Sequence, residues 1–95
     1  MRRAAKVDRN QAEIVKALRS AGCTVQSLAA IGKGCPDILV GYRGRNYLFE
    51  IKDPTQPLSK QALKPDQIVW RSNWNGVLGT ITSFEQAFSI IKNNP

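Results

Sequence analysis

The sequence predicts a mixed α/β domain, a sheet flanked by helices, in the order α-β-β-β-α-β-α. Three observations carry that prediction. Apolar residues recur at helical spacing near both ends, as Ile14, Val15, Leu18 and Ala21 and again as Phe84, Ala87, Phe88 and Ile91. Two short runs rich in Ile, Val, Tyr and Phe fill the middle, Ile38–Tyr42 and 46–52, split by Arg43-Gly44-Arg45. No internal repeat or linker interrupts the chain, so residues 1–95 read as one domain with a single core.

The first residues carry Arg2, Arg3 and Lys6, which form either a solvated basic end or an arm that touches phosphates. Residues 10–21 form the first helix, with Asp8 or Asn10 to cap it and Gly22 to stop it. Glu13 has two readings. It stands at the third helical position, where a carboxylate bonds back to the cap. Alternatively it points from the edge of the buried face into a cleft shared with Asp37 and Glu50. Spacing alone favours the cap.

Residues 24–29 make a strand on the strength of Thr24 and Val25. A loop follows in which Gly32 and Gly34 flank Lys33. It is neither a P-loop nor a GxGxxG motif, and reads as a plain connection with Lys33 as a candidate phosphate contact. The two central runs then form a β-hairpin. Side chains alternate along a strand, so Leu48, Glu50 and Lys52 share one face while Tyr47, Phe49 and Ile51 share the other. Asp37, its position stiffened by Pro36, falls at the level of Glu50 to Lys52. Two carboxylates and a lysine converge there.

Residues 53–63 are a polar connection with two prolines. Pro65-Asp66-Gln67 opens a helix, with proline first and an acid in the first turn. Gln67 is either a surface residue or one that reaches the carboxylates. Trp70 and Trp74 stand four apart on one helical face, a spacing typical of core or interface. Gly76 ends that helix, 77–82 forms the last strand, and Thr82 with Glu85 or Ser83 with Gln86 caps the helix 84–92.

Lys and Arg total 14 against 7 Asp and Glu, a formal charge of +7, which implies a polyanionic partner, nucleic acid before acidic membrane. No run approaches ~18 apolar residues and the first ten hold no hydrophobic signal core, so the expected location is cytoplasmic and no membrane is involved. There is no histidine, which excludes His-based nucleophilic triads and argues against zinc. Cys23 and Cys35 fit no metal spacing and read as small apolar residues.

Two acids from adjacent strands can hold a hard divalent cation, with water and substrate phosphate completing its oxygens. A lysine two residues along can steer or deprotonate water, or bond a phosphate oxygen. Alone, Pro36-Asp37 is a turn and Glu50 with Lys52 an exposed ion pair of little consequence. Together, in a basic surround, they form a more specific pattern.

Pro36-Asp37 followed by Glu50-Ile51-Lys52 matches the PD-(D/E)xK signature of restriction-endonuclease-like nucleases. With Glu13, the run GKGCPDILVGYRGRNYLFEIKD, and KPDQ ahead of Trp70 and Trp74, residues 10–92 resemble the VRR-NUC (virus-type replication-repair nuclease) family. The resemblance implies an αβββαβα core and a structure-specific DNA endonuclease that hydrolyses phosphodiesters with metal-activated water. It implies Mg²⁺ or Mn²⁺ on Asp37, Glu50 and the Ile51 backbone carbonyl, with Glu13 an outer or water-mediated contact. Lys52 would be the catalytic lysine and Gln67 a helper. Lys64 departs from the small cap that the family more often has. Branched DNA, above all the four-way junction, is the expected substrate, cut by a homodimer in a bacterial or phage-infected cell, with no small-molecule cofactor. Lys33, Arg2 and Arg3 are the expected DNA contacts, ahead of Arg43 and Arg45 at the far end of the hairpin. Trp70, Trp74, Tyr42 and Tyr47 supply aromatics for either a two-fold interface or the core. A flap-type or general nuclease, and a non-catalytic DNA-binding module, remain the rival readings.

Overall fold

A computed structural model describes residues 9–93; the expected contacts Arg2 and Arg3, and the candidate cap Asp8, lie outside the described residues. Helix α1 (Gln11–Ser20) is followed by strands β1 (Thr24–Ser27), β2 (Ile38–Tyr42) and β3 (Arg45–Ile51). Helices α2 (Leu58–Gln61) and α3 (Pro65–Ser72), strand β4 (Leu78–Ile81) and helix α4 (Phe84–Asn93) complete the order. The four strands form one sheet in sequence order. β1, β2 and β3 pair antiparallel, while β4 joins β3 in parallel because the α2–α3 crossover returns the chain to the same end. This is the expected mixed α/β architecture. One helix is added: the connection 53–63 contains the single turn α2.

Alternation along the strands sorts the two faces as expected. Ile38, Val40, Tyr47, Phe49, Ile51 and Ile81 are buried on one face, where Ile14 and Leu18 of α1 and Ala87 and Ile91 of α4 cover them. The other face presents Leu48, Glu50 and Thr80, and α3 meets it through hydrogen bonds from Gln67 to Glu50 (2.9 Å) and from Arg71 to Thr80 (2.6 Å). α3 itself buries no residue.

The helix ends show how sequence becomes boundary. Gly22, at φ 98°, lets α1 turn off in a Schellman motif: Cys23 N–H donates to the Leu18 carbonyl (3.0 Å) and Gly22 N–H to that of Arg19 (3.1 Å). The start of α1 differs from expectation. The Asn10 side chain makes no cap; its amide donates to the Lys52 and Thr82 carbonyls, 3.0 Å each, and fastens α1 to the ends of β3 and β4. Gln86 supports α4 by accepting from Thr82 N–H (2.7 Å) and donating its own N–H to Ser83 Oγ (3.2 Å).

β1 stops at Ser27, two residues early, where the Ser27 hydroxyl accepts from Ala29 N–H and bends the chain away. The hairpin turn is two residues rather than three, because Tyr42 pairs with Arg45. Arg43 and Gly44 both have positive φ, 50° and 80°, the type I′ geometry whose twist matches the strands. α3 ends at Ser72, so Trp74 lies past the helix, yet its ring still stacks on Trp70 at 5.0 Å. Tyr47 is a core residue, and the half-buried Tyr42 packs edge-on to Phe88 at 5.6 Å, so both tyrosines are engaged within one chain. Both cysteines are free, and among the described residues no helix is long and apolar enough to cross a membrane.

Candidate active site

Pairing of Ile38 with Phe49 sets Asp37 against the end of β3. Asp37 N–H donates to the Phe49 carbonyl (3.0 Å), and its carboxylate Oδ2 accepts from Ile51 N–H (2.6 Å). The strand pairing therefore extends one residue beyond β2, and the carboxylate is steered onto the strand that carries Glu50. Pro36 is buried ahead of it, which removes a competing donor at that point.

Glu50 and Lys52 project two residues apart into the same cleft, as period-two alternation requires. Lys52 Nζ lies 3.5 Å from Glu50 Oε2, and both side chains are over nine-tenths shielded from solvent. The Glu50 carboxyl is raised from its ordinary 4.5 to about 7, chiefly by burial and next by the Asp37 charge and a shared hydrogen bond, against the opposing pull of Lys52. The Cys35 thiol beside them is pushed up by burial and then by the same two carboxylates, so it stays a protonated thiol at neutral pH.

Gln67 completes the group from the first turn of α3. Its Nε2 donates to Glu50 Oε2 (2.9 Å), while its Oε1 accepts from Lys52 Nζ (3.4 Å) and from Lys64 N–H (2.9 Å). One amide thus orients the acid, contacts the lysine and closes the helix start. Lys64, with no acceptor atom, leaves the reciprocal half of a capping box unfilled. Gly34, at φ 85°, brings the preceding loop against this turn. A Cβ there would collide with the Asp66 carbonyl and stand 2.9 Å from Gln67 N.

The cleft, about 430 Å³, is lined by Asp37, Glu50, Lys52 and Gln67, with Arg9, Lys60 and Lys64 among the residues at its rim. Asp53 also lines it. That carboxylate accepts from the Thr55 backbone (2.9 Å) and hydroxyl (2.7 Å), bonds that hold it below the usual carboxylate range. The described residues contain no grouping of three or more acids, cysteines or histidines able to hold a metal, so a cation here would depend on two carboxylates plus backbone and water.

Four of the site residues read from the sequence, Asp37, Glu50, Lys52 and Gln67, are brought together. Glu13 is not: it is exposed on α1, lines no part of the cleft, and bonds to no cap. Lys33 is exposed in its loop with φ 55° and also stands outside the cleft. Sequence reasoning missed Arg9, Lys60, Lys64 and the tie made by Asn10. Positive charge in a Pro-flanked connection was the only signal for the lysines, and charge alone does not tell a cleft rim from any solvated surface.

Sheet order, flanking helices and the acid-acid-lysine cleft at the ends of β2 and β3 define a class, the restriction-endonuclease-like α/β fold. More particularly, the chain shares the fold of a solved structure described as a VRR_NUC domain, with a TM-score of 0.67 over 92% of this chain and 95% of that one, at 24% sequence identity. The resemblance read from the residues is thereby borne out at the level of fold. No family model matches the sequence, and no curated protein matches it.

Proposed function

We propose that this chain is a divalent-metal-dependent DNA endonuclease whose active site is the cleft of Asp37, Glu50, Lys52 and Gln67. The observation that carries the proposal is the carboxylate pair. Two acids on neighbouring strands, with the Glu50 carboxyl raised to about 7 first by burial and then by Asp37, are a costly arrangement without a cation to share. The donor set is all oxygen, which fits Mg²⁺ or Mn²⁺ and not a soft metal. Asp37, Glu50 and the Ile51 carbonyl would hold it, while Glu13, exposed on α1 outside the cleft, would take no part. When bound, such a cation supplies positive charge to the phosphorus oxygens and makes water more acidic.

The chain's own groups do the rest. Lys52, held between Glu50 and Gln67, donates hydrogen bonds to an attacking water or to a phosphate oxygen. Gln67 keeps the Glu50 carboxylate turned into the cleft. Arg9, Lys60 and Lys64 take the backbone phosphates on either side, a contact that reads no base sequence.

The preferred substrate in this reading is branched DNA, the four-way junction first, cut by a homodimer. α3 leaves Ile68 54%, Val69 61% and Trp74 just beyond it 45% exposed, an apolar surface suited to a second copy. Two sites related by a two-fold axis match two strands to be nicked.

The test sets four-way junction, flap, duplex and single strand against the protein with Mg²⁺, with Mn²⁺ and with EDTA. Cleavage is expected with either metal and none with EDTA, fastest on the junction. Asp37→Asn should lower the rate more than ~100-fold, beyond the usual loss for residues outside the ligand set, while DNA binding persists. Glu13→Gln should leave it near the parent rate, and a clear fall would bring Glu13 back to the metal site. Near-normal cleavage by Asp37→Asn would remove the metal-site assignment, and a preference for flaps would make this a flap nuclease.

A further inference from the structure

At the opposite end of the hairpin the structure builds a second basic cavity. It encloses about 480 Å³, and Arg43, Arg45 and Lys92 line it over a floor that includes Tyr42 and Phe88. The two arms of the cavity are held by their rings: the Arg43 guanidinium lies over Tyr42 at 5.2 Å and the Lys92 ammonium over Phe88 at 5.8 Å. Tyr42 and Phe88 in turn meet edge to face, so strand β2 and helix α4 present their cations as one unit. No acid lines the cavity, in contrast with the cleft. A site with cations only attracts anions and repels metals.

A second, independent observation concerns the turn. Arg43 occupies the first position of a type I′ turn at φ 50°, a conformation that asparagine and glycine adopt far more readily than arginine. The turn would fold better without this arginine. Strain at a non-glycine residue points to a role for its side chain, and this side chain lines the cavity.

We propose that this cavity is a second nucleic-acid site, in which Arg43, Arg45 and Lys92 bind backbone phosphates of the same DNA that enters the cleft. The inference rests on the nuclease reading above. Asp37 and Tyr42 stand five residue steps apart along the chain, roughly 17 Å at about 3.4 Å each. The cavity opens beside Tyr47, Phe88 and Ile91 on the α4 side of the sheet, whereas Glu50 faces the α3 side, so the two sites lie at opposite ends and on opposite faces. The cleft takes the phosphate to be cut, and the cavity anchors a separate arm of the same branched DNA. This gives the hairpin arginines a part distinct from the cleft they stand away from.

The test is equilibrium binding of fluorescent duplex and four-way junction in EDTA, across a range of salt. Arg43→Asn with Lys92→Gln should weaken binding about tenfold and make the slope of log affinity against log salt shallower by roughly two. The Arg43→Asn change alone should leave the melting temperature equal or higher, since it relieves the turn. Arg43→Lys, which keeps the charge, should keep the salt slope. Unchanged affinity and slope in the double variant overturn the proposal. So does a loss of affinity that tracks a fall in melting temperature, which would make the arginine structural. A loss that tracks a fall in solution mass would make the cavity a contact between copies instead. If the parent protein binds no DNA, the nuclease reading fails as well, an outcome separate from all of these.

Discussion

At the scale of single residues, the Glu50 carboxyl is where the fold's stability and its chemistry oppose each other. Its folded value is raised to about 7 against an ordinary 4.5, first by burial and then by Asp37. A raised carboxyl contributes stability below its unfolded value and loses it as pH rises through the folded one. Metal-free protein should therefore melt progressively lower as pH is increased between about 4.5 and 7. Added Mg²⁺ or Mn²⁺ should flatten that dependence by taking the place of the proton. Thermal melts across this range, with and without metal, check it; a metal-free protein that melts higher with rising pH would contradict the burial of an ionised pair. Asp53 acts in the other direction and only at lower pH, since its bonds from Thr55 favour the ionised form. Much of this was legible in the sequence. Pro36-Asp37 and Glu50 with Lys52 are fixed by alternation and hairpin register, which depend on neighbours in the chain. Glu13 was not legible, because whether a helical residue faces a cleft depends on how the helix is rolled against the sheet. The observed α1 turns Ile14 and Leu18 inward and leaves Glu13 outside.

At the scale of elements, α3 is positioned by very little. It buries none of its residues, and its attachment consists of the Gln67 and Arg71 hydrogen bonds and the close approach of Gly34. Gly34→Ala should displace the start of α3 and with it Gln67. The positive φ alone costs an alanine about 1–2 kcal/mol, or a fall of roughly 4–16 °C in melting temperature for a domain of this size. In the nuclease reading cleavage should fall more than binding, since the basic rim of Arg9, Lys60 and Lys64 does not depend on Gln67 alone. Melting curves and single-turnover rates separate the two, and equal losses would assign Gly34 to stability only. The sequence reading placed α3 correctly at its start, where Pro65 and the polar first turn are local signals. It carried the helix past Ser72 because the tryptophan spacing looked helical. The rings do stack, but across the helix end.

For the whole molecule, the exposed apolar side of α3, Ile68 and Val69, is where a partner would lie. In the junction-cutting reading that partner is a second copy. Val69→Glu should then halve the solution mass of a dimer and reduce paired nicking of a four-way junction, while leaving single nicks on duplex. Light scattering and junction cleavage measure both. A parent protein with the mass of one chain, 10.5 kDa, with or without junction DNA, would favour the general nuclease.

The bonds made by Asn10 have a further consequence during synthesis of the chain. Asp37 and Glu50 come into register as soon as the hairpin has been made, since their pairing is local. The Asn10 amide, however, waits for a carbonyl 42 residues on and another 72 residues on, and Gln67 arrives between them. A chain still emerging from the ribosome therefore carries its two acids before it carries the groups that orient them. The tie from α1 to the ends of β3 and β4 is complete only after Thr82 has been added, so in the nuclease reading the capacity to cut DNA would be withheld until nearly all of these residues have been translated.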